Sequence, residues 1–260
     1  MAKIGFIGTG NMGSALARAA AKAGGNSLFL VNRHPEKAVV LQKDTGGCVT
    51  DHKTAAENAD YLFLGVKPRM LPELAKTLAP ILQALETPPV LVSMLAGTEI
   101  RKVQESLRAD CPVIRIMPNT PVSVGEGIIL YCCSDGLSPD AEAGFLDAMH
   151  FAGRFMKLDE HLIDAGMAVS GCGPAYVDLF VEALADAAVA CGLTRKDALL
   201  LAAQMTLGSA KLILESGQHP GVLKDAVCSP GGTTIQGVRK LEEKGFRSAV
   251  MEAVIAAFQA

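Results

Sequence analysis

The sequence predicts two parts, an α/β doubly wound domain over residues 1–155 and an all-α domain over 156–260. Three observations carry this expectation. Short β-rich apolar runs alternate with helical stretches through the first half. A G-x-G-x-x-G segment joins the first such run to the first helical stretch. After about Arg154 the alternation stops and long Ala/Leu-rich segments take over.

The strand-like runs fall at 4–7, 28–31, 61–66, 90–94, 113–117 and 128–131. Helical stretches lie between or after them, at 14–23, 35–43, 70–85, 99–107 and 139–150. Ser138 is placed to cap the last of these, ahead of Pro139 at the first helical position. Alternation with crossover helices implies a parallel sheet covered on both faces. In the second half the helical segments are 175–191, 196–214, 235–244 and 246–258. Thr194 followed by Asp197 resembles a capping box at the start of one of them. These helices are rich in alanine and other small residues, which permit close helix approach. So much apolar surface in a narrow helical domain predicts that helices from two chains pack together as a homodimer.

Composition limits the function classes. Of 260 residues half are hydrophobic, and the formal net charge is −3 with both signs interspersed. No nucleic-acid surface is expected from that balance, nor an anionic-membrane surface. Tryptophan is absent and aromatics are few, which argues against a base-stacking platform. The longest uncharged run, 4–17, contains four glycines and an asparagine, so no run reaches the ~18 apolar residues of a membrane helix. The chain enters a strand-like run at once, so no signal peptide is expected and a cytoplasmic location is. The seven cysteines form no C-x-x-C and the five histidines no H-x-x-x-H. Reduced thiols and no metal site are the expectation.

Gly8, Gly10 and Gly13 stand in the setting a dinucleotide loop needs, after a strand and opening a helix. Gly8 permits the tight turn, Gly10 lets the backbone approach a pyrophosphate, and Gly13 lets the helix pack on the sheet. The first domain therefore reads as Rossmann-like. The next strand ends in Asn32 and Arg33, where an NAD(H) site would place Asp or Glu. A guanidinium there suits a 2′-phosphate, so NADP(H) is expected, with NAD(H) as the weaker alternative. Later strands end in Gly65-Val66-Lys67-Pro68 and in Ser93-Met94-Leu95-Ala96-Gly97. Those are carboxyl ends of parallel strands, where ligands sit. Asn119, between Pro118 and Thr120-Pro121, presents an amide either to a rigid turn or to the cofactor.

Two breaks punctuate the helical half: 169–176, "VSGCGPAY", and 225–246, "DAVCSPGGTTIQGVRKLEEKGF". With "GFIGTGNMG", "VKP" and "MPNTP" in the same order, they make the chain resemble the pyrroline-5-carboxylate reductase family over nearly its whole length. The resemblance implies a Rossmann domain joined to a helical dimerisation domain, and reduction of 1-pyrroline-5-carboxylate to L-proline by NAD(P)H. It implies an active site between the nicotinamide and the helical domain of a dimer, with some members assembling dimers into decamers. The family's active-site threonine falls on Thr234, and its substrate-contacting backbone on Gly231, Gly232 and Thr233. Cofactor contacts fall on Ile7, Gly8, Thr9, Gly10, Asn11, Met12, His34, Gly65, Val66, Lys67, Pro68 and Ala96. A substrate-side acid matches Glu160. Two departures stand out: Cys172 replaces the second serine of Ser-Gly-Ser-Gly-Pro-Ala-Tyr, and Gly217 replaces an acid that some members carry before His-Pro-Gly.

The loop chemistry agrees with that reading. Successive backbone N–H groups at a helix start can hold a substrate carboxylate without arginine. Thr233-x-x-Gln236 is itself a capping-box pattern. Capping is therefore expected of Thr233, with its backbone near the substrate, and of Thr234 a hydrogen bond to the substrate's ring nitrogen. Two rival readings are hydroxy-acid dehydrogenases of similar architecture and a non-catalytic NADP-binding sensor. The former use a helix-borne lysine, and the segment 175–192 contains none.

Overall fold

The strand runs of the first half close into one eight-stranded sheet. In a computed structural model describing all 260 residues these are β1 (Lys3–Ile7), β2 (Ser27–Val31), β3 (Cys48–Val49), β4 (Tyr61–Leu64), β5 (Val90–Ser93), β6 (Val113–Met117), β7 (Gly127–Cys133) and β8 (Gly153–Lys157). Their order is β3-β2-β1-β4-β5-β6-β7-β8. Through β6 every neighbour is parallel, and the order reverses between β1 and β4. Such a reversal opens a crevice at the carboxyl ends of the two strands.

Seven helices belong to the same unit: α1 (Asn11–Lys22), α2 (Pro35–Thr45), α3 (His52–Asn58), α4 (Leu71–Gln83), α5 (Ile100–Leu107), α6 (Pro139–Met149) and α7 (Ile163–Ser170). They cover both faces. In β4, Tyr61 and Phe63 join the core under α1, α2 and α6, while Leu62 and Leu64 join the core under α3, α4 and α5. Period-two side-chain alternation thus feeds two hydrophobic layers from one apolar run. Phe6 and Phe63 stack in the first layer with ring centroids 4.5 Å apart. Ser138 caps α6 as expected, accepting from the Ala141 N–H at 3.2 Å.

Two expectations need correction here. The sheet is not wholly parallel: β7 runs antiparallel to β6, because the connection between them holds only a 3-10 turn (Thr120–Val124) and no crossover helix. Elements were also missed. β3 has two residues, β8 reads GRFMK and α3 reads HKTAAEN, so none offers a clean apolar period. Asp51 starts α3 by accepting from the Thr54 N–H at 2.8 Å.

The second compact unit is Cys172–Ala260, after a first unit of Met1–Gly171. It contains α8 (Gly173–Ala190), α9 (Arg195–Ser216), α10 (Pro220–Ala226), α11 (Thr233–Glu243) and α12 (Phe246–Gln259). Thr194 caps α9, accepting from the Asp197 N–H at 3.2 Å and donating to the Asp197 carboxylate at 2.7 Å. Within the single chain the only buried residues of this unit are Ala185, Ala198 and Ala202. Three alanines cannot sustain five helices. Large apolar side chains such as Leu179, Leu200, Leu214 and Met251 are more than half exposed. α9, with 22 residues, is long and apolar enough to cross a bilayer by length and average composition, although no uninterrupted apolar run in it reaches membrane length. The sequence run was broken by Lys196, Asp197 and Lys211, which the helix carries at intervals.

Candidate active site

The crevice at the strand reversal is built on glycines. The Gly8 N–H donates to the Val31 carbonyl and the Gly65 N–H to the Ile7 carbonyl, both at 2.8 Å, so the two strand ends lie side by side. Gly8 has φ +98°, a region costly for other residues, and a Cβ there would lie 2.5 Å from the Gly65 carbonyl oxygen. A Cβ at Gly13 would collide with the Gly8 carbonyl oxygen. At Gly10, by contrast, an added Cβ meets nothing within 4 Å, so the space above the α1 start is open. No side chain caps α1. Its first N–H groups are left for an anion.

Around this turn lies an open cleft of about 860 Å³. Ile7, Gly8, Gly10, Asn32, Arg33 and His34 line one side, and Gly65, Val66 and Lys67 line another. Thr9 and Asn11 border a second cleft of about 470 Å³ at the α1 start, with Ser14 and Arg18. Thr9 is itself buried, and its hydroxyl accepts from the Asn32 amide at 2.6 Å. The other end of that amide accepts from the His34 N–H at 2.9 Å. Asn32 therefore braces the turn that presents Arg33. Arg33 is exposed and forms no ion pair. Met12 packs against the core, Pro68 opens a short 3-10 turn, and Ala96 is exposed in the turn after β5; none of the three lines the larger cleft.

Sequence reasoning missed Lys37 and His52 on this cleft. His52 enters through α3, which had no legible period. Burial holds its imidazole below its usual value, against the opposing pull of the Asp51 carboxylate. A neutral ring then stands on the cleft wall near neutral pH.

Two residues expected at ligands are engaged inside the first unit. The Asn119 amide donates to the Ser170 carbonyl and accepts from the Ile128 N–H, each at 3.0 Å, and the residue is buried. Of the two readings open for it, the structure gives the rigid turn. The Glu160 carboxylate accepts from the Ile100 N–H at 2.7 Å, at the start of α5, and from Arg115 at 3.4 Å. Arg115 is 1% exposed and also donates to Asp164 at 2.8 Å. Glu160 is thereby part of a buried-cation network joining β6, α5 and α7.

In the second unit, Ser229 accepts through its carbonyl from the Gly232 N–H at 3.0 Å, closing a turn over Pro230 and Gly231. Pro at the second position and φ +71° at Gly231 suit a type II turn. A Cβ at Gly232 would displace the Ser229 hydroxyl and lie 3.2 Å from the Ser229 carbonyl oxygen, so the turn is tight there. The capping expectation for Thr233 is corrected. Gly232 is the N-cap, with φ −71° and ψ 173°, and no side chain caps α11. Thr233 and Thr234 occupy the first two helical positions, where a hydroxyl cannot close onto its own turn. By contrast α3, α6, α9 and α10 are each capped by a side chain, the last by the His219 ring accepting from the Gly221 N–H. The first N–H groups of α11 are therefore unclaimed, and both threonines are exposed beside them. Cys172, at the start of α8, likewise makes no capping bond.

Comparison with known proteins agrees with both halves. Residues 160–260 match the family model for pyrroline-5-carboxylate reductase dimerisation, and residues 3–97 match a model described as NADP oxidoreductase, coenzyme F420-dependent. The pyrroline-5-carboxylate reductase of Escherichia coli K12 is 41% identical over 256 residues, covering 97% of this chain and 94% of that protein. The crystal structure of Plasmodium falciparum pyrroline carboxylate reductase with NADP bound superposes with a TM-score of 0.87 at 33% identity, covering 99% of this chain and 96% of that one. The Coxiella burnetii pyrroline-5-carboxylate reductase structure gives 0.89 at 31%, with the same coverage. Likeness at this identity extends across both units, and the chain belongs to the pyrroline-5-carboxylate reductase family.

Proposed function

We infer that this chain reduces the C=N bond of 1-pyrroline-5-carboxylate to L-proline, the last step of proline synthesis, with NADPH preferred over NADH. The observation that carries the reading is the uncapped start of α11, preceded by a Pro-Gly-Gly turn and flanked by Thr234. The substrate has one carboxylate and one ring imine. The carboxylate is held by the unclaimed N–H groups of Thr233 and Thr234 and by the positive end of the helix. Gly231 and Gly232 let it approach the backbone. The Thr234 hydroxyl hydrogen-bonds the ring nitrogen and orients the imine face.

The larger cleft of the first unit fits the cofactor. Gly10 leaves room for a pyrophosphate at the α1 start, and unpaired Arg33 suits the 2′-phosphate. A bound dihydronicotinamide would supply a hydride to the imine carbon; the C=N π pair would pass to the ring nitrogen and take up a proton there, leaving the existing C–N σ bond as the single bond of proline. The protein's own part is orientation and electrostatics.

The first unit, Met1–Gly171, serves as the cofactor domain and Cys172–Ala260 as the substrate-binding and dimerisation domain, a later boundary than the expected 155/156 because α7 packs on β7 of the sheet. The exposed apolar side chains of α8 to α12 support a homodimer, and their surplus supports further assembly of dimers. Seven unpaired thiols suit a reducing, cytoplasmic setting. The test is loss of NADPH absorbance with pyrroline-5-carboxylate, with small hydroxy acids as controls and NADH in parallel. Cofactor binding without oxidation by the imine would leave only a sensor; a strong NADH preference would reject the role of Arg33.

A further inference from the structure

The start of α2 carries its charges the wrong way round. Arg33, His34 and Lys37 cluster at this helix N-terminus, with Glu36 the only acid in the first turn. A helix N-terminus already bears a positive partial charge, so cations there repel it. Glu36 offsets little, since it lies 3.6 Å from His34 with both side chains well exposed. Arg33 and Lys37 have no carboxylate partner anywhere in the protein. Such an arrangement is unfavourable on its own and becomes favourable once an anion sits among the cations.

The larger cleft supplies the place for that anion. Arg33 immediately precedes the N-cap His34, Lys37 lies in the first turn of α2, and both line the cleft. A 2′-phosphate carries nearly two negative charges near neutral pH, more than one guanidinium matches. Lys37 also borders the smaller cleft at the α1 start, where Gly10 and Asn11 lie. The backbone N–H groups there already serve a pyrophosphate, and Arg18 beside them is paired to Asp44 at 2.7 Å.

We propose that Lys37 is a second specificity-determining cation, binding the 2′-phosphate of NADP(H) together with Arg33. This rests on the NADP(H) reading above. The ammonium acts as a point charge on the outer side of the phosphate, while Arg33 offers a planar fork. Lys37 is exposed, so its replacement leaves the fold intact.

Calorimetry on the full-length protein tests this without turnover, using adenosine 2′,5′-bisphosphate, 5′-AMP and ADP. Lys37→Gln should bind the 2′,5′-bisphosphate about tenfold more weakly, as expected for loss of one charged hydrogen bond. It should bind AMP and ADP within about twofold of wild type, and Lys37→Arg should retain most of the affinity. In steady state, the KM for NADPH should rise while that for NADH stays. Unchanged 2′,5′-bisphosphate affinity in Lys37→Gln overturns the proposal. So does an equal loss for ADP, which would put the ammonium at the pyrophosphate. A wild-type protein that binds AMP as tightly as the 2′,5′-bisphosphate overturns the NADP(H) reading itself, an outcome visible before any variant is made.

Discussion

Gly8 and Gly65 face each other so closely that neither has room for a side chain. A Cβ on Gly8 would lie 2.5 Å from the Gly65 carbonyl oxygen, and one on Gly65 would lie 2.6 Å from the Gly8 carbonyl oxygen. The contact joins the ends of β1 and β4, where the strand order reverses. Gly65→Ala should therefore displace the Gly8 turn. The expected outcome is a loss of about 2 kcal/mol in urea denaturation, typical of overpacking. NADPH affinity measured by calorimetry should fall at least tenfold, because the pyrophosphate-facing backbone moves with the turn.

The two threonines of α11 should separate cleanly. Thr234→Val should lower kcat/KM by roughly 10- to 100-fold, the worth of a hydrogen bond to a charged group. Its denaturation midpoint should stay close to wild type. Thr233→Val should change stability by no more than about 0.5 kcal/mol, since its hydroxyl caps nothing. A large destabilisation in Thr233→Val would restore a capping role. An unchanged rate in Thr234→Val would remove the catalytic one.

Arg115 is a buried cation between two partly exposed acids. Arg115→Leu strands Glu160 and Asp164 against an apolar strand. A fully buried pair broken this way costs about 3–5 kcal/mol. The two carboxylates keep 33% and 47% side-chain exposure, so water relieves part of that, and about 2–3 kcal/mol is expected. Glu160→Gln still accepts the Ile100 N–H and should cost about 1 kcal/mol, with the KM for the imine unchanged. A raised KM with unchanged stability would return Glu160 to the substrate.

The thiols should differ in reactivity. Burial pushes Cys132 up to about 12 and Cys111 up to about 11, so thiolate is scarce at both. Cys48 is exposed. Timed alkylation read by mass spectrometry should label exposed Cys48 early, and Cys111 and Cys132 only after denaturant is added. Early labelling of Cys132 would contradict its burial in β7.

Stability should depend on protein concentration. The second unit buries only three alanines within one chain, so its folding is linked to association. The Tm should rise as protomer concentration increases, and light scattering should give at least twice the chain mass. A monomer with a concentration-independent Tm would show the five helices to be self-sufficient.

By itself the sequence determined the α/β-then-α organisation, the glycine turn, the sequence position of Arg33 and the Pro-Gly-Gly break. Those features are local: each is written in neighbouring residues as an apolar period, a turn requirement or a helix start. Tertiary structure decided the rest. It paired β7 antiparallel to β6, where the chain left no length for a crossover helix. It brought His52 to the cleft through a seven-residue helix without a readable period, and gave the Asn119 amide to Ser170 and Ile128. It placed the N-cap of α11 at Gly232, freeing two threonines that a capping pattern divides. Partners distant in sequence and backbone angles at a single residue settle such matters, and neither is encoded in composition or spacing.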